Sequence, residues 1–133
     1  MRLSLAAQIF LILLGLVIIY GLWIVLNNVA VPRLSPYKIS SGKAKALINN
    51  NYVDVVIDVR TPQEIKQTGS LPGSVNIPFE SLSYVIPNTY PDKTTRILIY
   101  CRTGKRASKA TDLLRSMGYT SVYFITDSYE NLM

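Results

Sequence analysis

The chain has no histidine and a single cysteine, Cys101. The first absence excludes imidazole ligands for zinc or haem, and imidazole general bases. The second excludes an internal disulfide and a cysteine-rich metal cluster. A lone thiol also fits a reducing compartment, or a reactive role, better than a disulfide-stapled secreted fold. Acidic side chains are scarce: 8 Asp+Glu stand against 14 Lys+Arg, a net charge of +6. Apolar residues are abundant. They make up 49% of 133 residues, which excludes disorder as a description of the whole chain. The length allows one ordinary domain plus an appendage.

Charge is missing altogether between Arg2 and Arg33. Within that stretch, 14 of the 18 residues from Ile9 to Leu26 are Leu, Ile, Val or Phe. As a helix they span roughly 27 Å, near the hydrocarbon thickness of a bilayer. Their insertion is worth on the order of −4 to −8 kcal/mol. No polar face interrupts the run, as a core helix of a soluble protein would require. Tyr20 and Trp23 lie near its end, where aromatic rings suit the membrane interface. A cleavable signal sequence is the rival reading, but the apolar run exceeds the usual ~7–15 residues. The stretch Asn28-Val29-Ala30 also has Asn where cleavage wants a small residue. Gly15 and Gly21 are six apart, so the GxxxG helix-pairing motif is absent.

Residues 1–27 therefore read as a single-pass transmembrane signal anchor in a lipid bilayer. Residues 28–39, with Pro32 and Pro36, read as a short stiff linker, and 40–133 as the folded domain. Arg33, Lys38, Lys43 and Lys45 flank the anchor on one side and Arg2 on the other, which places the domain in the cytoplasm by the positive-inside rule. Residues 33–133 carry 13 basic and 8 acidic side chains, a net of +5. That suits an anionic membrane surface or small anionic substrates. No basic run with interleaved aromatics appears, so no nucleic acid partner is expected.

From residue 40 on, helix and strand signals alternate. Ser40 or Ser41 can cap a helix over 42–48. Val53–Val59 is apolar and β-branched, like a buried strand. Thr61-Pro62-Gln63-Glu64 is a capping box with Pro at the first helical position, and Gly69 can end that helix. Leu71-Pro72-Gly73-Ser74 is a turn before a short strand over 75–77. Phe79–Ile86 has helical character, and Pro87–Thr95 reads as a loop. Ile97–Tyr100 is a second strong strand, Ala107–Met117 a helix ended by Gly118, and Val122–Ile125 a closing strand. The alternation predicts a small α/β domain with a largely parallel sheet.

Cys101 falls at the C-terminal end of a predicted buried strand, where open α/β sheets bind ligands. The following Arg102-Thr103-Gly104-Lys105-Arg106 leads into a helix. A helix N-terminus favours a thiolate through unpaired amides and the positive end of the dipole. A loop curled around the sulfur can aim backbone N–H groups at it. Arg102, Lys105 and Arg106 add positive charge, and Gly104 permits a backbone conformation that a Cβ hinders. With no histidine available, activation of the thiol rests on this field alone.

Two motifs resemble those of the rhodanese family of sulfurtransferases. Cys101-Arg102-Thr103-Gly104-Lys105-Arg106-Ala107 is similar to that family's active loop, Cys-x-x-Gly-x-Arg-Ser/Ala. Asp58-Val59-Arg60-Thr61-Pro62-Gln63-Glu64, followed by Leu71-Pro72-Gly73-Ser74-Val75-Asn76-Ile77-Pro78, is similar to its upstream signature. The resemblance covers about residues 40–126. It implies a three-layer rhodanese-like domain and a thiosulfate sulfurtransferase-like enzyme that uses no metal and no organic cofactor. By resemblance, Cys101 takes the outer sulfur of a small anionic donor such as thiosulfate as a persulfide. It then yields it to an external thiol or cyanide. Arg102, Thr103, Gly104, Lys105 and Arg106 are implied to bind the donor, and Asp58 and Arg60 to support the fold behind the loop.

Loop length separates reaction types. Phosphatases and arsenate reductases of the same fold carry Cys-x5-Arg, whereas Cys101 to Arg106 is Cys-x4-Arg, which favours sulfur transfer. Besides that less favoured alternative, a membrane-tethered sulfur-carrier or docking module with little turnover remains open. Two departures stand out. Ser70 replaces a frequent histidine before the Leu-Pro-Gly turn. The usual Gly-Gly-aromatic ending is replaced by Asp127-Ser128-Tyr129, so the last helix of the family fold is expected to be short or missing.

Overall fold

The computed structural model describes residues 2–28, 36–127 and 129–132. They belong to two compact units, Met1–Leu34 and Ser35–Met133. The first holds α1, Leu5–Asn28. The Ser4 hydroxyl accepts a hydrogen bond from the Ala7 amide at 3.3 Å, in the manner of a cap. Beyond it the helix exposes Leu, Ile, Val and Phe on every side. Leu5–Leu26 is long and apolar enough to cross a membrane.

The second unit runs β1 (Lys38–Ile39), α2 (Ser41–Asn49), β2 (Val55–Asp58), α3 (Pro62–Thr68) and β3 (Val75–Asn76). A 3-10 turn, Phe79–Ser81, leads into α4 (Leu82–Thr89). Then come β4 (Ile97–Tyr100), α5 (Lys105–Ser116), β5 (Val122–Ile125) and a 3-10 turn, Tyr129–Leu132. The five strands form one sheet in the order β1-β5-β4-β2-β3, with every neighbouring pair parallel.

Alternation along β4 shows why the sheet is covered twice. Ile97 and Ile99 pack with Leu82 and Ile86 of α4 and Ala107, Ala110 and Leu114 of α5. Leu98 and Tyr100 pack on the opposite face with Ala44 of α2, Ile125, Tyr129 and Leu132. All four β4 side chains are buried, which is why the strand reads as an unbroken apolar run. Each such side chain contributes about 1.5–3 kcal/mol on burial.

The caps act where the sequence puts them. Ser40 accepts from the Lys43 amide to begin α2. Thr61 and Glu64 close a reciprocal capping box on α3, and Gly69 ends it at φ 75°. Several boundaries differ from expectation, among them the strand expected over Val53–Val59, which forms only over Val55–Asp58. Lys38–Ile39, expected within the linker, forms β1 and pairs with Phe124 and Ile125. A two-residue strand has no periodicity to betray it, and its pairing is wholly tertiary. Asn28, also expected in the linker, ends α1, and residues 29–35 of the expected linker lie outside the described residues. Helix α4 continues through Pro87, expected to open a loop. The Asn88 side-chain amide donates to Tyr84 O at 2.7 Å and the Tyr90 amide to Ile86 O at 2.8 Å, closing the last turn past the proline. Helix α5 begins at Lys105, two residues earlier than expected, for a reason that lies at Gly104.

Asp58 and Arg60 form a buried ion pair at the end of β2. Arg60 Nε donates to both Asp58 carboxylate oxygens at 3.0 and 3.1 Å, and a terminal nitrogen donates at 2.6 Å. Its remaining reach goes to Thr68 Oγ1 and Gly69 O, at the end of α3. The Tyr129 ring lies 4.1 Å from the guanidinium carbon. Hydrogen bonding to Asp58 holds the Arg60 guanidinium well above its usual range. Tyr129, in the departure Asp127-Ser128-Tyr129, thus lids the pair, while Asp127 accepts from the Ser41 amide at the start of α2.

Removing one partner of a desolvated pair strands the other. Asp58→Asn is expected to lower stability by about 3 kcal/mol or more, read from urea unfolding. A loss below about 1 kcal/mol, the range of exposed pairs, would show that the pair is not desolvated.

Candidate active site

Cys101 directly follows β4 and is 1% exposed. Its Sγ accepts a hydrogen bond from the Gly104 amide at 3.0 Å. Gly104 lies at φ 83°, in the left-handed region, and is the N-cap of α5. The sharp turn lets the helix start at the next residue, with the Ser108 amide donating to Gly104 O at 2.9 Å. A Cβ on residue 104 would also stand 2.6 Å from Thr126 Cα, so glycine is required twice over. The thiol therefore sits at the N-terminal end of a twelve-residue helix, where unpaired amides and the dipole favour negative charge.

The other loop residues separate into two groups. Arg102, Thr103 and Lys105 are exposed. Arg106 is held by Glu64, in a bidentate pair at 2.6 and 2.8 Å. Its guanidinium pKa is raised, first by that hydrogen bond, with the Cys101 and Glu80 charges contributing further. Glu64 in turn is held at about 2, chiefly by Arg106 and then by the Thr61 amide. The sequence marks Glu64 only as the third residue of a capping box. In the structure the same carboxylate accepts from Thr61 N at 2.9 Å and clamps the end of the Cys101 loop. Arg106, expected to grip the donor, thus has both arms engaged.

Behind the loop, Asn76 donates to Asp58 O and Arg60 O at 3.0 and 2.8 Å, fixing β3 and the start of α3. Tyr100, the residue before Cys101, takes hydrogen bonds at its hydroxyl from the Leu71 amide and shares one with Ser74. Burial pushes its phenol pKa up. Nothing in the sequence pairs Glu64 with Arg106, Thr126 with Gly104 or Tyr129 with Arg60, since each contact joins segments far apart in the chain.

Fold and loop together define a class: a three-layer parallel α/β domain with a thiol held at the junction of a central strand and a helix N-terminus. Residues 40–133 match the family model described as the rhodanese-like domain. The chain belongs to the rhodanese-like sulfurtransferase family. A rhodanese domain-containing protein of Drosophila melanogaster is 35% identical over 91 residues, which cover 59% of this chain and 82% of that one. The thiosulfate sulfurtransferase/rhodanese-like domain-containing protein 3 of Mus musculus is 30% identical over 98 residues. The match covers 65% of this chain and 62% of the mouse protein, less than two thirds of it. Among solved structures, a human single-domain sulfurtransferase superimposes with a TM-score of 0.62 at 26% identity, covering 71% of this chain and 93% of that one. Neither the carrier reading nor the phosphatase or arsenate reductase reading is favoured by these matches.

The Glu64 clamp carries a pH signature. Its folded pKa of about 2 lies below the ordinary 4.5, so its stabilisation is complete above 4.5 and drains away as pH falls toward 2. Glu64→Gln is expected to be less stable at neutral pH and to lose less on acidification through that window, measured by urea unfolding across the pH series. Asp54, held at about 2 by Arg96, titrates in both proteins, so the difference isolates Glu64. Parallel acid limbs would contradict the clamp.

Proposed function

We propose that the chain is a membrane-anchored sulfurtransferase that moves sulfane sulfur from thiosulfate, or a similar donor, through a persulfide on Cys101. The observation that carries this reading is the Cys101 sulfur under the Gly104 amide at 3.0 Å, at the N-terminal end of α5. The thiolate attacks the outer sulfur of thiosulfate. The sulfur–sulfur bond breaks, sulfite leaves with its electron pair, and a persulfide remains on Cys101. An external thiol or cyanide then attacks the terminal sulfur and restores the thiolate. Cys101 is the only cysteine, so the acceptor comes from outside.

The loop's parts divide the work. The Gly104 amide and the helix N-terminus stabilise the anionic sulfur species. Arg102 and Lys105, both exposed, attract the donor anion, with Thr103 beside them. Arg106 is a positioning residue at the end of the loop, where its arms hold Glu64. Asp58 and Arg60 support the strand end beneath. Helix α1 serves as a single-pass anchor, and the positive flank at 33–45 supports a cytoplasmic domain.

The test is steady-state production of thiocyanate from thiosulfate and cyanide by the full chain. Turnover is expected, and Cys101→Ser should lower it by about a thousandfold or more. Equal rates in the two proteins, or no turnover in the parent, would overturn the catalytic reading.

A further inference from the structure

Among the carboxylates near the Cys101 loop, one is left over. Val59 N donates to Tyr100 O at 3.1 Å, which carries the pairing of Asp58 with Tyr100 one step further and sets Val59 beside Cys101. Val59 O in turn accepts from Phe79 N at 3.2 Å. The 3-10 turn Phe79–Ser81 is thus tied to the strand end next to the thiol. Phe79 packs half-buried against the apolar cluster that includes Val59 and Cys101. Glu80, the middle residue of the turn, is exposed.

Arg106 explains why Glu80 has no partner. Both arms of its guanidinium go to Glu64, at 2.6 and 2.8 Å. The Arg106 pKa is raised first by that hydrogen bond and also by the Glu80 charge, so Glu80 stands within electrostatic reach of the last loop position. Glu80 itself takes part in none of the three ion pairs among the described residues. A carboxylate beside a reactive sulfur, with the neighbouring cation already taken, offers a seat to a cation that a ligand brings.

The two halves of the reaction differ in the charge they bring. The donor half brings an anion, served by the exposed Arg102 and Lys105. In the acceptor half a thiolate attacks the terminal sulfur of the Cys101 persulfide. The sulfur–sulfur bond breaks, and the Cys101 thiolate leaves with its electron pair. A bare thiolate is repelled by Glu80. An ammonium group a few bonds from the acceptor sulfur turns that repulsion into an ion pair, and it lowers the pKa of the acceptor thiol as well.

We propose that Glu80 selects the sulfur acceptor, favouring a thiol that carries an ammonium group over neutral and anionic thiols. The proposal rests on the persulfide reading of Cys101. Glu80 is a specificity residue in this scheme: it pairs with the ammonium and leaves the sulfur chemistry to the loop.

The test follows sulfite release from thiosulfate by the full chain, with 2-aminoethanethiol, 2-mercaptoethanol or 3-mercaptopropionate as acceptor. For each protein, kcat/KM for an acceptor is divided by that for 2-mercaptoethanol, so differences in folded fraction cancel. Glu80→Gln is expected to lower the relative value for 2-aminoethanethiol by about two- to fivefold, the range of one exposed ion pair, and to raise that for 3-mercaptopropionate. Glu80→Asp should keep the parent's order, and high salt should shrink the contrast. A carboxylate that only complements the dipole of the following helix would change stability and leave these ratios alone. Unchanged ratios in Glu80→Gln, or no turnover of any thiol while cyanide still yields thiocyanate, overturns the selection alone. No turnover by the parent with cyanide either overturns the persulfide reading and the selection together.

Discussion

One residue without a side chain governs the site. At Gly104 the backbone turns left-handed between β4 and α5, and a Cβ would sit 2.6 Å from Thr126 Cα. Another residue there would meet the left-handed penalty of about 1–2 kcal/mol and also push against the backbone that follows β5. Because nothing fills that space, the loop closes, the Gly104 amide reaches the Cys101 sulfur and α5 starts at once. A thiol placed there meets a helix N-terminus without needing a side-chain base, in a chain that has no histidine.

The loop is held from outside as well as from within. Glu64 belongs to the first turn of α3 and to the last position of the Cys101 loop at the same time, so one carboxylate couples two segments 42 residues apart. Arg60 does the same on the buried side, tying the end of β2 to the end of α3 under the Tyr129 ring. These are buried or half-buried charges satisfied on several sides, and breaking one partner is what makes them costly. The exposed charges, Arg102 and Lys105, are left to face solvent.

What was legible in the sequence follows from range. Capping at Ser40 and Thr61, the left-handed end of α3 at Gly69 and the doubly buried β4 run are local signals, and local signals can be read from neighbours in the chain. The position of Cys101 between a strand and a helix is local too. Less legible were features set by distant contact. Lys38–Ile39 becomes a strand only because β5 lies beside it. Pro87 stays helical because Asn88 and Tyr90 close the turn around it while Ile86 is buried. Glu64 showed its capping role but not its hold on Arg106, and Tyr129 looked like a departure from the family ending until it was found on Arg60.

The account rests on sulfur being carried by one thiol in this loop. Its most direct test is the intact mass of the full chain after exposure to thiosulfate. The account predicts the gain of a single sulfur atom, its loss on addition of an external thiol, and no gain when Cys101 is replaced by serine. An unchanged mass, or an equal gain in the serine variant, would contradict it.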